Sequence, residues 1–177
     1  MIYFTSDSHF GHKNIIHYCQ RPFENSIEMN SHMVQSWNSI VKPEDTVYHL
    51  GDFIFSLTRK WSNRLLESLN GTIIVIKGNH DREKYLNYYL NNRLIKSWHY
   101  NLDLSYDYKG KIYNFSLSHY PHYPLKDSDL ICLHGHIHGL YEHREPHMKH
   151  PRVLDVGVDS IGYVPISIEN VIERMNF

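Results

Sequence analysis

Residues 72–81 read Thr72-Ile73-Ile74-Val75-Ile76-Lys77-Gly78-Asn79-His80-Asp81. The β-branched run predicts a buried strand, because Val and Ile fit a pleated surface covered on both faces. It breaks at a glycine into three polar residues. The same event recurs along the chain. Ile2–Ser6 runs into Asp7-Ser8-His9, Thr46–Leu50 into Gly51-Asp52, Lys111–Ser118 into His119, and Leu130–Leu133 into His134-Gly135-His136-Ile137-His138. Five apolar runs thus end on side chains that can bind a metal ion. In open α/β sheets the strand ends line the ligand crevice, so these five ends are expected to converge on one rim. A merely solvated turn would use Ser, Thr, Lys or Glu there.

Outward from these runs, Val153–Val156 reads as a further strand, and Leu102–Tyr108 pairs with Lys111–Ser118 through a Lys109-Gly110 hairpin turn. Helical spacing appears at Met29, Met33, Trp37 and Ile40, opened by Asn25 and Glu28 in the manner of a capping box. It recurs at Leu57, Trp61, Leu65 and Leu69, closed by Asn70-Gly71. A third helix is expected from Asp81 through Tyr85, Tyr88 and Tyr89, and a short last one from Ser167 to Met175. Strands alternating with helices give an α/β class. With 177 residues and no repeat or low-complexity linker, the expectation is a single domain spanning 1–177.

Charge excludes some functions. Lys and Arg number 18 against 19 Asp and Glu, a net charge of −1, and no long basic run gathers phosphate contacts. No stable nucleic-acid complex is therefore expected. No stretch approaches the ~18 apolar residues of a membrane span, and the opening Met1-Ile2-Tyr3-Phe4 lacks the parts of a signal peptide. The expectation is a cytoplasmic protein with no membrane partner. Cys19 and Cys132 are too few and too far apart for a disulfide framework or a zinc ribbon. The 15 histidines are the anomaly, since histidine is the commonest metal-binding side chain.

Asp7-x-His9 puts a carboxylate and an imidazole on one side of an extended backbone; alone, it reads more readily as a turn. His136-x-His138 has the same geometry with two imidazoles, between glycines that allow close backbone approach. Gly51-Asp52 in isolation is a simple turn, but in company Asp52 has two oxygens and can bridge two cations. Asn79 can offer a neutral carbonyl oxygen, and His80 is placed to donate a proton. Asp81 reads as the N-cap of the next helix.

In this order, Asp7-Ser8-His9, Gly51-Asp52, Gly78-Asn79-His80-Asp81, His119 and Gly135-His136-Ile137-His138, the chain resembles the calcineurin-like metallophosphoesterase superfamily. The opening Asp7-Ser8-His9-Phe10-Gly11-His12-Lys13-Asn14-Ile15 is similar to small prokaryotic and phage members. The resemblance implies a four-layer α/β/β/α sandwich of two mixed sheets flanked by helices. It implies two divalent transition-metal ions (Mn, Fe, Zn, Ni or Co). Asp7, His9 and His138 would hold one, Asn79, His119 and His136 the other, with Asp52 bridging and His80 assisting the leaving oxygen. Mixed imidazole and oxygen donors do not single out one ion. Phosphoprotein phosphatases extend the second motif with a further Asp and an Arg. Here it continues Phe53-Ile54-Phe55-Ser56, which argues against a protein phosphatase.

A charge count points to a diester. Two divalent ions, less the charges of Asp7, Asp52 and a hydroxide, leave a single positive charge that a monoanionic diester neutralises and a dianionic monoester overshoots. Arg21, Lys77 or Arg82 can shift that balance. The expected substrate is a small phosphodiester, nucleotide-like. The alternatives are a broad-range phosphomonoesterase and a catalytically silent protein-binding scaffold such as the retromer subunit of this fold, whose kind has lost the histidine that His80 supplies here. His12 and Arg21 are candidates for gripping substrate, Arg21 because a guanidinium matches phosphate oxygens bidentately. Tyr120-Pro121-His122-Tyr123-Pro124 would sit at the site mouth, and His134 beside the ligands. His143, His147 and His150 read as part of a polar loop.

Overall fold

Alternation within the apolar runs builds two cores from one sheet. The structure, a computed structural model, describes residues 1–140 and 150–175. Strands β1 (Ile2–Thr5), β2 (Thr46–His49), β3 (Thr72–Ile76) and β4 (Ser97–His99) run parallel, and β9 (Ile166–Ser167) joins β1 antiparallel, in the order β4-β3-β2-β1-β9. Successive residues face opposite sides. Tyr3, Val47, Ile73 and Val75 pack against helices α2 (Ser26–Ile40), α3 (Arg59–Ser68) and α4 (Glu83–Asn91) through Met29, Met33, Trp37, Leu66 and Leu86. Phe4, Tyr48, Ile74 and Ile76 face the other way, into a second core.

That second core is shared with a second mixed sheet, β5 (Asn101–Tyr108), β6 (Lys111–Ser118), β7 (Ile131–His134) and β8 (Val153–Asp155), in that order. β5 and β6 form the expected hairpin, while β6, β7 and β8 run parallel. Phe115, Leu117, Ile131 and Leu133 meet the first sheet, and Phe4 joins the layers, with ring centroids 5.8 Å from Tyr48 and 6.0 Å from Phe115. Helix α1 (Ile15–Tyr18) lies in the loop after β1, and α5 (Val158–Ile161) follows β8. Helix α6 (Ile168–Arg174) adds Ile168, Val171 and Ile172 to the inter-sheet core. Two mixed sheets flanked by helices result, and among the described residues no helix is long and apolar enough to cross a membrane.

Local chemistry set most boundaries. The Asn25 side chain accepts from the backbone N–H groups of Ile27 and Glu28, Thr58 accepts from Trp61, and Ser167 accepts from Asn170. Asp81 is a correction: α4 is entered through Arg82 with no side-chain cap, and the Asp81 carboxylate faces inward instead. The short strands β4 and β9 and the one-turn α5 have no counterpart in the sequence reading, being too brief to show a period. His143 and His147 lie outside the described residues.

Because Phe4 is fully buried between the sheets, Phe4→Ala should cost about 3–5 kcal/mol of unfolding free energy, measured by urea titration. A loss below about 1 kcal/mol would mean that the two sheets do not share this core.

Candidate metal centre

The C-terminal ends of β1, β2 and β3 in one sheet and of β6 and β7 in the other open on the same side, and the loops that follow are sewn together by their backbones. Asp7 N–H donates to Gly51 C=O at 2.9 Å, His9 N–H to Asp52 C=O at 2.9 Å, and Gly135 N–H to His119 C=O at 3.0 Å. Carboxylates complete the stitching: His136 N–H donates to Asp7 Oδ2 at 2.9 Å, and His80 N–H to Asp52 Oδ1 at 2.9 Å.

These loops turn sharply. Asp7 (φ 56°), His9 (47°), Asp52 (54°), His136 (73°) and His138 (49°) all lie in the left-handed region, which few non-glycine residues occupy and Asp and His tolerate better than most. Such strain clusters where structure around it over-determines the conformation. Two glycines permit the crowding. A Cβ on Gly78 would meet Asp52 Oδ1, and one on Gly135 would meet Ser6 Oγ and Asp7 Oδ2.

The result is a buried nest of donor atoms facing one another. Asp7 Oδ1 lies 3.9 Å from both His9 Nε2 and His138 Nε2. Asp52 Oδ2 lies 3.5 Å from His9 Nε2 and 3.6 Å from His119 Nε2. Asn79 Oδ1 sits 2.8 Å from His119 Nε2 and 3.0 Å from His136 Nδ1. His119 donates its Nδ1–H to Leu50 C=O at 2.8 Å, which leaves a lone pair on Nε2 aimed at the centre. Two donors each about 2.1 Å from one ion can stand no more than about 4.2 Å apart, and these separations fall within that span. Asp7 Oδ1 and both His9 ring nitrogens are buried without any hydrogen-bond partner. Unsatisfied buried acceptors are costly, and a cation would satisfy Asp7 Oδ1 and His9 Nε2, which face each other at 3.9 Å, together. The residues present therefore fit a metal ion, around Asp7, His9 and His138 and around Asp7, Asp52 and His119. A third close trio, Cys19, His138 and Asp159, differs, because His138 Nδ1 and Asp159 Oδ2 are already hydrogen-bonded at 2.7 Å.

Without a cation the nest is electrostatically unbalanced. Burial drives the Asp7 carboxyl up to about 8, against the opposing pull of His138, and also raises Asp52. Burial pushes His9 down to about 2, aided by His138 and Arg21, and lowers His119 and His136. His138 goes the other way. Burial works downward there, but the Asp159 hydrogen bond prevails and carries the imidazole up to about 10.

All seven residues singled out as ligands, Asp7, His9, Asp52, Asn79, His119, His136 and His138, are brought together. His80 stands beside them, its Nε2 3.9 Å from Asp52 Oδ2 and its side chain 46% exposed. His12 lies at the rim, its ring 5.5 Å from His9 and 4.0 Å from Phe55. Arg21 is elsewhere than expected. Its guanidinium is buried against Asp159 (2.8 Å) and donates to Asp7 C=O at 2.7 Å and Ser8 C=O at 3.1 Å, so it braces the β1 loop rather than facing the mouth. His134 bonds the carbonyl of Gly135, its own neighbour. Tyr120 is half-exposed beside His136, ring centroids 4.6 Å apart.

Three carboxylates that the sequence reading missed hold the arrangement. Asp81 accepts from the N–H groups of Asp52 (2.8 Å), Gly78 (2.9 Å) and Phe53 (3.1 Å), which locks two loops onto each other. Asp159 orients His138 and pairs with Arg21, the kind of carboxylate support that fixes an imidazole's tautomer. Asp155 accepts from Gly139 N–H and the Ser160 hydroxyl, and so ties the His136–His138 loop to α5. Local signals existed only for Asp81, three residues past Gly78.

The model of the calcineurin-like phosphoesterase family matches residues 1–161. An uncharacterized protein of Methanocaldococcus jannaschii is 39% identical over 97% of this chain and 89% of its own length. The gene 66 protein of Mycobacterium phage D29 is 30% identical over 90% of the chain and 88% of its own. A crystal structure of a protein of unknown function from Aquifex aeolicus superposes with a TM-score of 0.71, at 26% identity and 98% coverage of both chains.

With pKa values of about 8 and about 10, Asp7 and His138 both hold protons at neutral pH in the metal-free protein. A cation on Oδ1 and Nε2 must displace them. Mn²⁺ loading should therefore release protons, and apparent affinity should rise from pH 6 to pH 8. Calorimetry in buffers of different ionisation heat measures the release. Loading without proton release would contradict this protonation pattern.

Proposed function

The chain belongs to the calcineurin-like phosphoesterase family and is on that footing a metal-dependent phosphoric ester hydrolase; from this premise we propose that it cleaves phosphodiesters in preference to monoesters, using two divalent ions. Asp7, His9 and His138 would hold one ion and Asn79, His119 and His136 the other, with Asp52 available to both. Ions held there supply Lewis acidity toward a phosphoryl oxygen and lower the pKa of a water. The rest is the work of the protein. Burial opposes protonation of the imidazoles of His9, His119 and His136, and the inner face excludes solvent, with Asp7, His9, Asp52 and His119 almost wholly buried. His80, exposed on the open side, hands a proton to the departing alcohol oxygen.

The observation that carries the diester reading is the placement of Arg21. A monoester dianion needs added positive charge near the ions, and the Arg21 guanidinium is tied to Asp159 and two backbone carbonyls, while Arg82 lines the cavity beside His80. Lys77 is directed to the carbonyl of Gly78. A monoanionic diester needs no such partner.

Reconstituted with Mn²⁺, the protein should turn over bis-p-nitrophenyl phosphate faster than p-nitrophenyl phosphate. Faster monoester turnover would overturn the preference.

His80→Ala should lower diester turnover by about 10²–10⁴-fold with Mn²⁺ still bound, whereas Asp52→Asn should weaken both turnover and Mn²⁺ binding. Equal metal loss in the two variants, by equilibrium dialysis, would remove His80 from the proton-donor role.

A further inference from the structure

A cavity of about 260 Å³ opens beside His80, between the loop after β2 and the start of α4. Its lining includes Leu86 and Tyr89, both buried in α4, the rings of Phe55 and Tyr85, and the polar Ser56 and Arg82. His80 belongs to both sites. Its Nε2 faces Asp52 Oδ2 at 3.9 Å, and its ring meets Phe55 edge-on, centroids 5.5 Å apart at 78°. Tyr85 is 38% exposed, and the Arg82 side chain has no ion pair among the described residues. The volume lies just under the roughly 300 Å³ at which small-molecule sites begin, room for one ring system rather than two.

We propose that this cavity receives the leaving-group side of the substrate, and that the leaving alcohol carries a planar ring of nucleobase size. The proposal rests on the phosphoesterase reading above, because it takes His80 as the group on the leaving-oxygen side. An ester bond broken beside His80 releases its alcohol into the space that His80 lines. Three aromatic side chains in the lining, Phe55, Tyr85 and Tyr89, favour a flat π-system, since base–aromatic stacking is sequence-tolerant and needs no specific hydrogen bonds. The guanidinium of Arg82, without an ion pair among the described residues, favours a neutral or anionic leaving group over a cationic one.

The test uses a phosphate-free nucleoside, which has no phosphoryl group to anchor it to the ions. Adenosine is titrated into the isotope-labelled, Zn²⁺-loaded full chain and followed by nuclear magnetic resonance, with ribose as the control. Expected are saturable shifts at Phe55, Tyr85 and Leu86 with adenosine and none with ribose. Tyr85→Ala, at an exposed position that does not threaten folding, should weaken adenosine binding about tenfold, and Phe55→Leu should do likewise. Shifts confined to Tyr120 and Tyr123, or equal shifts with ribose, or unchanged affinity in both variants, would overturn the proposal. Adenosine binding is read without turnover, so a failure of the cavity and a failure of metal-dependent hydrolysis are separate results.

Discussion

Asp52 is fastened to the protein through every polar group but one. Its N–H donates to Asp81, its carbonyl accepts from His9, and its Oδ1 accepts from the N–H of His80. Only Oδ2 is left, and it points into a ring of imidazoles 3.5–3.9 Å away. A carboxylate on a free rotor would lose entropy each time it met a cation. One held by three backbone contacts has lost that freedom on folding, so its remaining oxygen is preorganised. The loops after β1, β2 and β3 converge because this residue bonds to all of them.

The same fastening explains why the site tolerates its own instability. Five left-handed residues at roughly 1–3 kcal/mol each, together with buried acceptors lacking partners, form a site that no isolated loop would adopt. What offsets them is rigid packing immediately below: Phe4, Leu50 and Ile76 are fully buried under the rim, and Asp81, Asp155 and Asp159 hold the loops from the sides. A cation removes the remaining imbalance. Binding energy is thereby directed to one place in the molecule, where raised carboxylates and lowered imidazoles have no other means of compensation.

Much of this was legible in the sequence because it is written locally. Each of the seven residues gathered at the centre follows an apolar run within a few positions, and the period-2 alternation of Ile73–Ile76 assigns faces without reference to anything distant. The cap at Asn25 was visible for the same reason. What escaped is non-local. Arg21 and Asp159 are 138 positions apart, and nothing near either residue says that they meet, so Arg21 reads as a phosphate-binding arginine until the fold places it under Asp7. Asp81 follows a strand and precedes a helix, which is the pattern of a cap. Only the approach of β2 to β3 supplies the three N–H groups that claim it instead. The strands β4 and β9 are short edge strands at opposite sides of the first sheet, formed because β3 and β1 offer an open edge.

Anomalous diffraction from crystals loaded with Mn²⁺ tests the central claim most directly. Two peaks per chain are predicted, about 3.5–4 Å apart and on either side of Asp52 Oδ2. An empty nest, or a single peak displaced to Cys19 and Asp159 behind His138, would contradict the account.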